Sequence, residues 1–289
     1  MLLFTHIDYK EGRRAYVATI SKITVQKKAK QRYNVFIGKP GAERFAFSVD
    51  EAILVKYGLR KGLELDENEI KALIEADELK KTHHLALHYL SYRMRTEKEI
   101  RNYLKEKDRL DEHIEKTIAS LKAEKLIDDR AFAEAFARSK TAQTVIGPSK
   151  IRQQLLQKGV DAEAIAKALS PYQIKWQIDM LTAWLDKQER RAVNRRESNE
   201  QLKQKRTQQL LAKGFEYEAI QVALANREAD EDNEWEALVY QGEKLLKSYV
   251  KKYNGRELTY KLKQALYRKG FALSKIDRFL HTEMEGEGT

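Results

Sequence analysis

From about residue 82 onward, apolar residues recur along the chain at helical spacing, and one phrase returns with them. Leu155-x-x-Lys158-Gly159-Val160 is followed by Ile165 and Leu169, six and ten residues after the glycine. The phrase recurs at Lys213-Gly214-Phe215 with Ile220 and Leu224, and at Lys269-Gly270-Phe271 with Ile276 and Leu280. A degenerate copy precedes them, in which Lys107-Asp108 is followed by Ile114 and Ile118, with Asp in the glycine place. Successive copies lie 51, 55 and 56 residues apart (108 to 159, 159 to 214, 214 to 270). Self-similarity at such a period marks a tandem array. In each copy an amphipathic segment stops at Lys-Gly, where glycine can take the left-handed conformation that closes a helix and lysine faces the negative end of the helix dipole. The Ile and Leu that follow share one face of a short next helix. A further helical stretch precedes each hairpin, at 84–93, 129–141, 173–190 and 234–252. The pattern therefore predicts four three-helix repeats, at 82–125, 126–171, 172–228 and 229–289.

Start signals agree with this parsing: Thr96-x-x-Glu99 is a capping box, Asp128 and Asp161 suit N-caps, and Pro148 fits a first helical turn. Three short helices bury their apolar faces poorly alone, so neighbouring units are expected to stack into an elongated, curved body with a long concave surface. The first eighty residues read differently. Alternation at Ile20, Ile23 and Val25, then Tyr33, Val35 and Ile37, then Phe45, Phe47 and Val49, with a turn at Gly38-Lys39-Pro40-Gly41, predicts a small antiparallel sheet. Helices are expected at 48–57 and 66–79, the second with Asp66, Glu67 and Glu69 at its start. The fold class is thus mainly α: a β-rich N-terminal domain over 1–80, then the array.

Composition narrows the class. With 34% charged residues, the 289-residue chain suits an array of small cores better than one large one. It has no cysteine, which excludes disulfides and thiolate metal sites. No apolar run approaches a membrane span, and the first ten residues lack a signal-peptide pattern, so a cytoplasmic protein without a membrane partner is expected.

The net charge of +11 is unevenly spread. Residues 140–215 hold 15 Lys/Arg against 7 Asp/Glu, whereas 216–289 hold 12 against 14. A basic region on two adjacent repeats is what a polyanion-binding surface shows, since each phosphate neutralised releases counterions. Its candidates are Lys150, Arg152, Arg190, Arg191, Arg195, Arg196, Lys203, Lys205 and Arg206. On one continuous helix Arg191, Arg195, Lys205 and Arg206 share a face, but the repeat demands a break near Val193-Asn194; a solvated basic connection is the alternative reading. A second cluster contains Arg93, Arg95 and Arg101, with Lys98 and Lys105, and its acids Glu97, Glu99 and Glu106 can neutralise it in place. In the N-terminal domain Arg13, Arg14, Lys27, Lys28, Lys30 and Arg32 make contact with DNA conceivable.

Reactive chemistry finds little footing. The glycines at 38 and 41 lack the spacing of a phosphate-cradling loop. His84 and His88 stand one turn apart but lack a third ligand at motif spacing, so no metal and no cofactor is expected. Asp128-Asp129 reads as a helix start rather than a metal-binding carboxylate pair of a nuclease, because neighbouring side chains on a helix diverge. Phe132 and Phe136, and Trp176 and Trp184, fit core positions. Tyr92, Tyr103 and Tyr253 stand near basic residues, where base stacking competes with core packing as their role.

Three blocks in order carry a family resemblance: Ala86-Leu87-His88-Tyr89-Leu90-Ser91-Tyr92-Arg93-Met94-Arg95-Thr96-Glu97-Lys98-Glu99-Ile100, then Leu126-Ile127-Asp128-Asp129-Arg130-Ala131-Phe132-Ala133, then Lys150-Ile151-Arg152-Gln153-Gln154-Leu155 leading to Lys158-Gly159-Val160. With the repeats, the chain over 82–280 resembles the RecX family of bacterial recombination regulators. The resemblance implies tandem three-helix units and a non-enzymatic modulator, mostly inhibitory, of the RecA recombinase filament in recombination, DNA repair and the SOS response. It implies binding in the filament groove or at its growing end and contact with DNA, single-stranded and also double-stranded; a monomer is expected. Lys125 stands before Leu126-Ile127-Asp128-Asp129 where the family often has Gly, a departure that bears on a helix end. The family pattern does not identify contact residues, so the basic candidates rest on charge. A DNA-binding repeat protein that acts without recombinase is the alternative function.

Overall fold

The computed structural model describes residues 17–27, 31–39, 41–189, 196–225 and 231–285, and the chain divides into two units, Met1–Asp128 and Asp129–Thr289. The first unit opens with strands β1 (Val17–Val25), β2 (Arg32–Ile37) and β3 (Arg44–Asp50), a short helix α1 (Glu51–Lys56), strand β4 (Glu64–Asp66) and the long helix α2 (Glu67–Leu90). The antiparallel sheet has the order β3-β2-β1-β4. Ile20, Val35, Phe47 and Val49 from one face pack with Ile53 of α1 and Leu73 of α2. Val25 and Phe45, expected to point inward, are exposed. A register shift between Val35 and Phe36 leaves two residues of β3 opposite one of β2, so side chains beyond it change face. Phe45 then pairs with Phe36 edge to face, 5.9 Å between ring centres, away from the core.

Helix α1 is shorter than the sequence predicts because Ser48 and Asp50 still pair with β2, and Asp50 caps it by accepting from the Ala52 N–H at 3.0 Å. The helices expected at 66–79 and 84–93 are one. Asp66 and Glu69 close a capping box at its start. Between them and Leu90 there is no Gly or Pro to stop it, and the buried Thr82 hydroxyl is satisfied by the Glu78 carbonyl at 2.8 Å. Residue 80 is therefore mid-helix, and α2 serves the sheet with Leu73 and the first bundle with Ala86. Asp77 ties α2 to the sheet: its carboxylate accepts both terminal nitrogens of Arg32, at 3.2 and 2.7 Å, and the Asp50 N–H at 2.8 Å. Burial pushes its carboxyl up, but the hydrogen bonds of Arg32, Lys81 and Asp50 outweigh this and hold it below the usual carboxylate range.

The first bundle is completed by α3 (Glu97–Glu106) and α4 (Asp111–Ala123), around Ile100, Leu104, Ile114, Ile118 and Leu121. In the second unit come α5 (Asp129–Gln143), α6 (Pro148–Gln157) and α7 (Ala162–Leu169), then α8 (Ile174–Glu189), α9 (Asn199–Ala212) and α10 (Tyr217–Ala225), then α11 (Glu231–Tyr249), α12 (Gly255–Arg268) and α13 (Leu273–Glu285). Each trio encloses its own core, and the motif residues form it: Leu155, Val160, Ile165 and Leu169; Leu210, Phe215 and Ile220; Leu266, Phe271, Ile276 and Leu280. Phe132 joins the second core, with Phe136 packed against it, and Trp176 and Trp184 pack against the third. The chain is thus mainly α, four three-helix repeats following a small sheet.

The recurring phrase ends its helix in the same way each time. Asp108, Gly159, Gly214 and Gly270 have φ of 54°, 84°, 87° and 83°. The next N–H reaches back to the carbonyl five residues earlier, Arg109 to Leu104, Val160 to Leu155, Phe215 to Leu210 and Phe271 to Leu266. This is the Schellman closure, and in the three glycine copies its apolar residue, Val160, Phe215 or Phe271, is buried in the core of its trio. Lys125 also sits in the left-handed region, at φ 58°, and closes α4 with the bond from Leu126 N–H to Leu121 O.

In the second unit the phrase does a further job, not visible in its own repeat. The start of α6 is seated on the closed end of α9: Gly147 N–H donates to the Lys213 carbonyl at 2.9 Å and Ser149 N–H to the Gly214 carbonyl at 3.1 Å. Orphan donors at one helix start meet orphan acceptors at another helix end. A Cβ on Gly214 would lie 2.4 Å from the Lys150 nitrogen. The next junction repeats the arrangement, with the buried Ser198 hydroxyl at the start of α9 donating to the Lys269 carbonyl.

Candidate nucleic-acid interface

The structure separates the candidate cations by what holds them. In the second cluster, Arg93 forks onto Glu99 at 3.1 and 3.2 Å. Arg101 binds both Glu97 and Glu115, whose hydrogen bonds raise its already high pKa, Glu115 contributing most. Arg95 lies over the Tyr89 ring at 4.1 Å, and Tyr89 is stacked on Tyr103 at 4.0 Å. The charges of Arg93 and Arg101 are compensated by carboxylates of the first bundle, whereas Arg95 is held against the Tyr89 ring. Tyr103 is accordingly a packing residue, Tyr253 lies against the fourth core, and Tyr92 is 71% exposed.

The central candidates divide further. Arg190, Arg191 and Arg195 lie outside the described residues, as do Arg13, Arg14, Lys28 and Lys30 of the N-terminal segment. Arg206 occupies, eight residues before the motif glycine, the register of Ile151 and Leu262; its side chain is 11% exposed and its guanidinium meets Glu189 at 3.0 Å. It spans two helices of the third repeat, α8 and α9. Lys205 meets Glu197 at 2.8 Å. Lys150 and Arg152 on α6 and Lys203 on α9 are exposed and, among the described residues, have no ion-pair partner.

Arg196 stands just before α9, and the fourth repeat fixes its position. Its guanidinium lies over the Tyr240 ring at 4.5 Å and donates to the Tyr240 hydroxyl at 3.1 Å, while Gln241 of α11 donates to its carbonyl at 2.8 Å. Nearby, the buried Glu234 of α11 accepts the Asn199 N–H at 2.6 Å, placing a carboxylate at the start of α9. Burial pushes its carboxyl up, against the smaller opposing effects of that N–H and of Lys275.

Beyond Tyr240, α11 presents cations that segment totals concealed. A groove of about 620 Å³ is lined by Tyr240, Glu243, Lys244, Lys247, Lys251 and Lys252. The four lysines are exposed and, among the described residues, without ion-pair partners. The acids that balance them in sequence, Glu231, Asp232, Glu234 and Glu236, all stand in the first turns of the helix. The spacing of three and four residues among Lys244, Lys247 and Lys251 was the available sequence signal.

Four family models match the chain in order: "Regulatory protein RecX N-terminal domain" over residues 18–66, "RecX, first three-helix domain" over 83–121, "RecX, second three-helix domain" over 128–169, and "RecX, third three-helix domain" twice, over 177–224 and 231–280. Among curated relatives, "Regulatory protein RecX" of Halalkalibacterium halodurans is 47% identical, covering 92% of this chain and all of its own. The protein of the same name from Oceanobacillus iheyensis is 41% identical, over 93% of this chain and 99% of its own. A solved structure, "Crystal structure of regulatory protein RecX", is 37% identical with a TM-score of 0.61, covering 72% of this chain and 100% of that one. The third-domain model matches at both trios whose motif is Lys-Gly-Phe, so the fourth repeat is a second copy of the third type. On the sheet, the four trios and these likenesses together, the chain belongs to the RecX family.

Proposed function

We propose that this chain is a non-enzymatic modulator of the RecA recombinase, acting as an inhibitor that binds the RecA–DNA filament and blocks its extension, ATPase and strand exchange. The observation that carries the reading is the match of RecX models to the sheet and all four trios. The construction of the second unit supports it: the second and third trios are joined by backbone hydrogen bonds between helix ends, and the third and fourth by side-chain bonds such as that from the Ser198 hydroxyl to the Lys269 carbonyl, which makes them a connected scaffold rather than beads on a string. A scaffold of this kind inhibits by bridging, because contacts to several filament protomers oppose the motions that accompany nucleotide turnover. Exposed Lys150, Arg152, Lys203 and Arg196 supply charge toward DNA phosphates, together with Arg190, Arg191 and Arg195 in the sequence and Lys205 of α9, which is exposed but paired with Glu197.

The test is RecA ATPase and strand exchange with the protein titrated to excess over filament sites. Loss of both activities is expected; unchanged activities at stoichiometric excess refute the proposal. Removing charge at Lys150, Arg152 and Lys203 together is expected to weaken cosedimentation with preformed filaments. Unaltered cosedimentation assigns the contact elsewhere.

A further inference from the structure

The lysine groove of α11 belongs to none of the basic positions that charge totals single out, and its construction favours one kind of ligand. Four lysines face it against one carboxylate, Glu243. A cation in the last turn of a helix is accounted for by the helix dipole, but Lys244 lies outside that turn and Lys251 and Lys252 follow the helix. At one end of the groove, Arg196 stacks on Tyr240, so an aromatic ring and a guanidinium plane stand beside a row of cations. From Tyr240 to the helix end is nine residues, about 13 Å at 1.5 Å per residue. Cations spread over that length can face several successive phosphates of one strand.

We infer that this groove holds a single strand of nucleic acid, with its phosphates along Lys244, Lys247, Lys251 and Lys252 and a base stacked at the Arg196–Tyr240 end. The backbone charge pairs with ammonium groups that surrender no internal ion pair on binding. The stacking end is suited to an unpaired base, whose face a duplex hides. The inference deepens the reading above by naming where the chain holds DNA, and binding to naked strands is measured without recombinase.

The experiment is fluorescence anisotropy of a labelled twenty-residue oligothymidylate with the full chain, across a salt series, beside a duplex of equal length. The triple variant Lys244→Ala, Lys247→Ala, Lys251→Ala is expected to lower affinity about tenfold or more and to reduce the salt slope by about 2, from roughly 0.7 per phosphate contact. Replacement of the same three by Arg retains binding. Tyr240→Ala is expected to cost single-strand affinity about fivefold or more while leaving the duplex nearly unchanged. Circular dichroism confirms that these exposed substitutions leave the helices intact. Unchanged affinity and slope in the triple variant, or no binding by the wild type, overturn the inference; equal loss on strand and duplex with no effect of Tyr240→Ala overturns its single-strand part. If wild type inhibits RecA while the triple variant binds oligonucleotide normally, the groove assignment falls and the regulatory reading stands. If the triple variant alone loses the oligonucleotide while wild type leaves RecA untouched, the reverse holds.

Discussion

Gly214→Ala tests whether the Lys-Gly phrase joins repeats as well as closing helices. The new Cβ would stand 2.4 Å from the Lys150 nitrogen and 2.5 Å from its Cβ, over 1 Å inside ordinary contact. The start of α6 must retreat, which breaks the bonds from Gly147 N–H to Lys213 O and from Ser149 N–H to Gly214 O. Each is worth about 1 kcal/mol. Holding alanine at the φ of 87° adds about 1–2 kcal/mol, so the expected loss is about 3–4 kcal/mol. Gly255→Ala in the same unit is the control, since Gly255 also has positive φ, 48°, but no atom within 4 Å of the added Cβ. It should cost only the conformational part, about 1–2 kcal/mol. Urea unfolding followed by circular dichroism compares the midpoints, and hydrogen exchange reads the amides of Gly147 and Ser149. Their protection should fall about thirtyfold in Gly214→Ala, the equivalent of about 2 kcal/mol. Equal midpoint shifts for the two variants, with full protection at both amides, would refute the joining role.

Three further expectations follow from the same geometry. Lys125→Gly relieves a non-glycine left-handed residue at an exposed helix end and should stabilise by about 0.5–1 kcal/mol, net of the entropy glycine loses, seen as a rise of about 2 °C in melting temperature; a fall would show that the lysine side chain is needed there. Asp77→Asn should destabilise the first unit by about 3 kcal/mol by stripping Arg32 of its partner. Because the folded Asp77 carboxyl lies below its ordinary value of 3.8, its contribution is present above that value and is lost as pH falls through the folded pKa. A melting-temperature series from pH 5 downward should therefore drop more steeply for wild type than for Asp77→Asn, and parallel curves would contradict the assignment. Arg93→Ala and Arg101→Ala should leave oligonucleotide affinity within about twofold, since both guanidinium groups are engaged by carboxylates of the first bundle; a larger loss on anisotropy titration would return that cluster to the interface.

Local rules made most of the fold legible. The capping box at Thr96 and Glu99, the cap at Asp161 with its bond to Ala164 N–H, and Pro148 in a first turn all stand where their residue types place them. The Asp of the degenerate copy takes the same left-handed conformation as the three glycines. What failed was signal that depends on distant partners. Nothing in β3 alone shows that a bulge against β2 turns Phe45 outward, and no local stop existed for α2, whose two halves the sequence divides only by what each packs against. Charge totals likewise averaged the acids and lysines of α11, which the helix places in different turns.

The four repeats, their helix ends and most residues of each core could be read along the chain, because helix closure and apolar periodicity act over a few neighbouring residues. Which cations are engaged and which stand open, and that the Lys-Gly turn of the third repeat receives the helix start of the second, came from the packing of the folded chain. Those outcomes depend on groups tens of residues apart, such as Arg196 with Tyr240 and Gly147 with Gly214, meeting at hydrogen-bonding or van der Waals range.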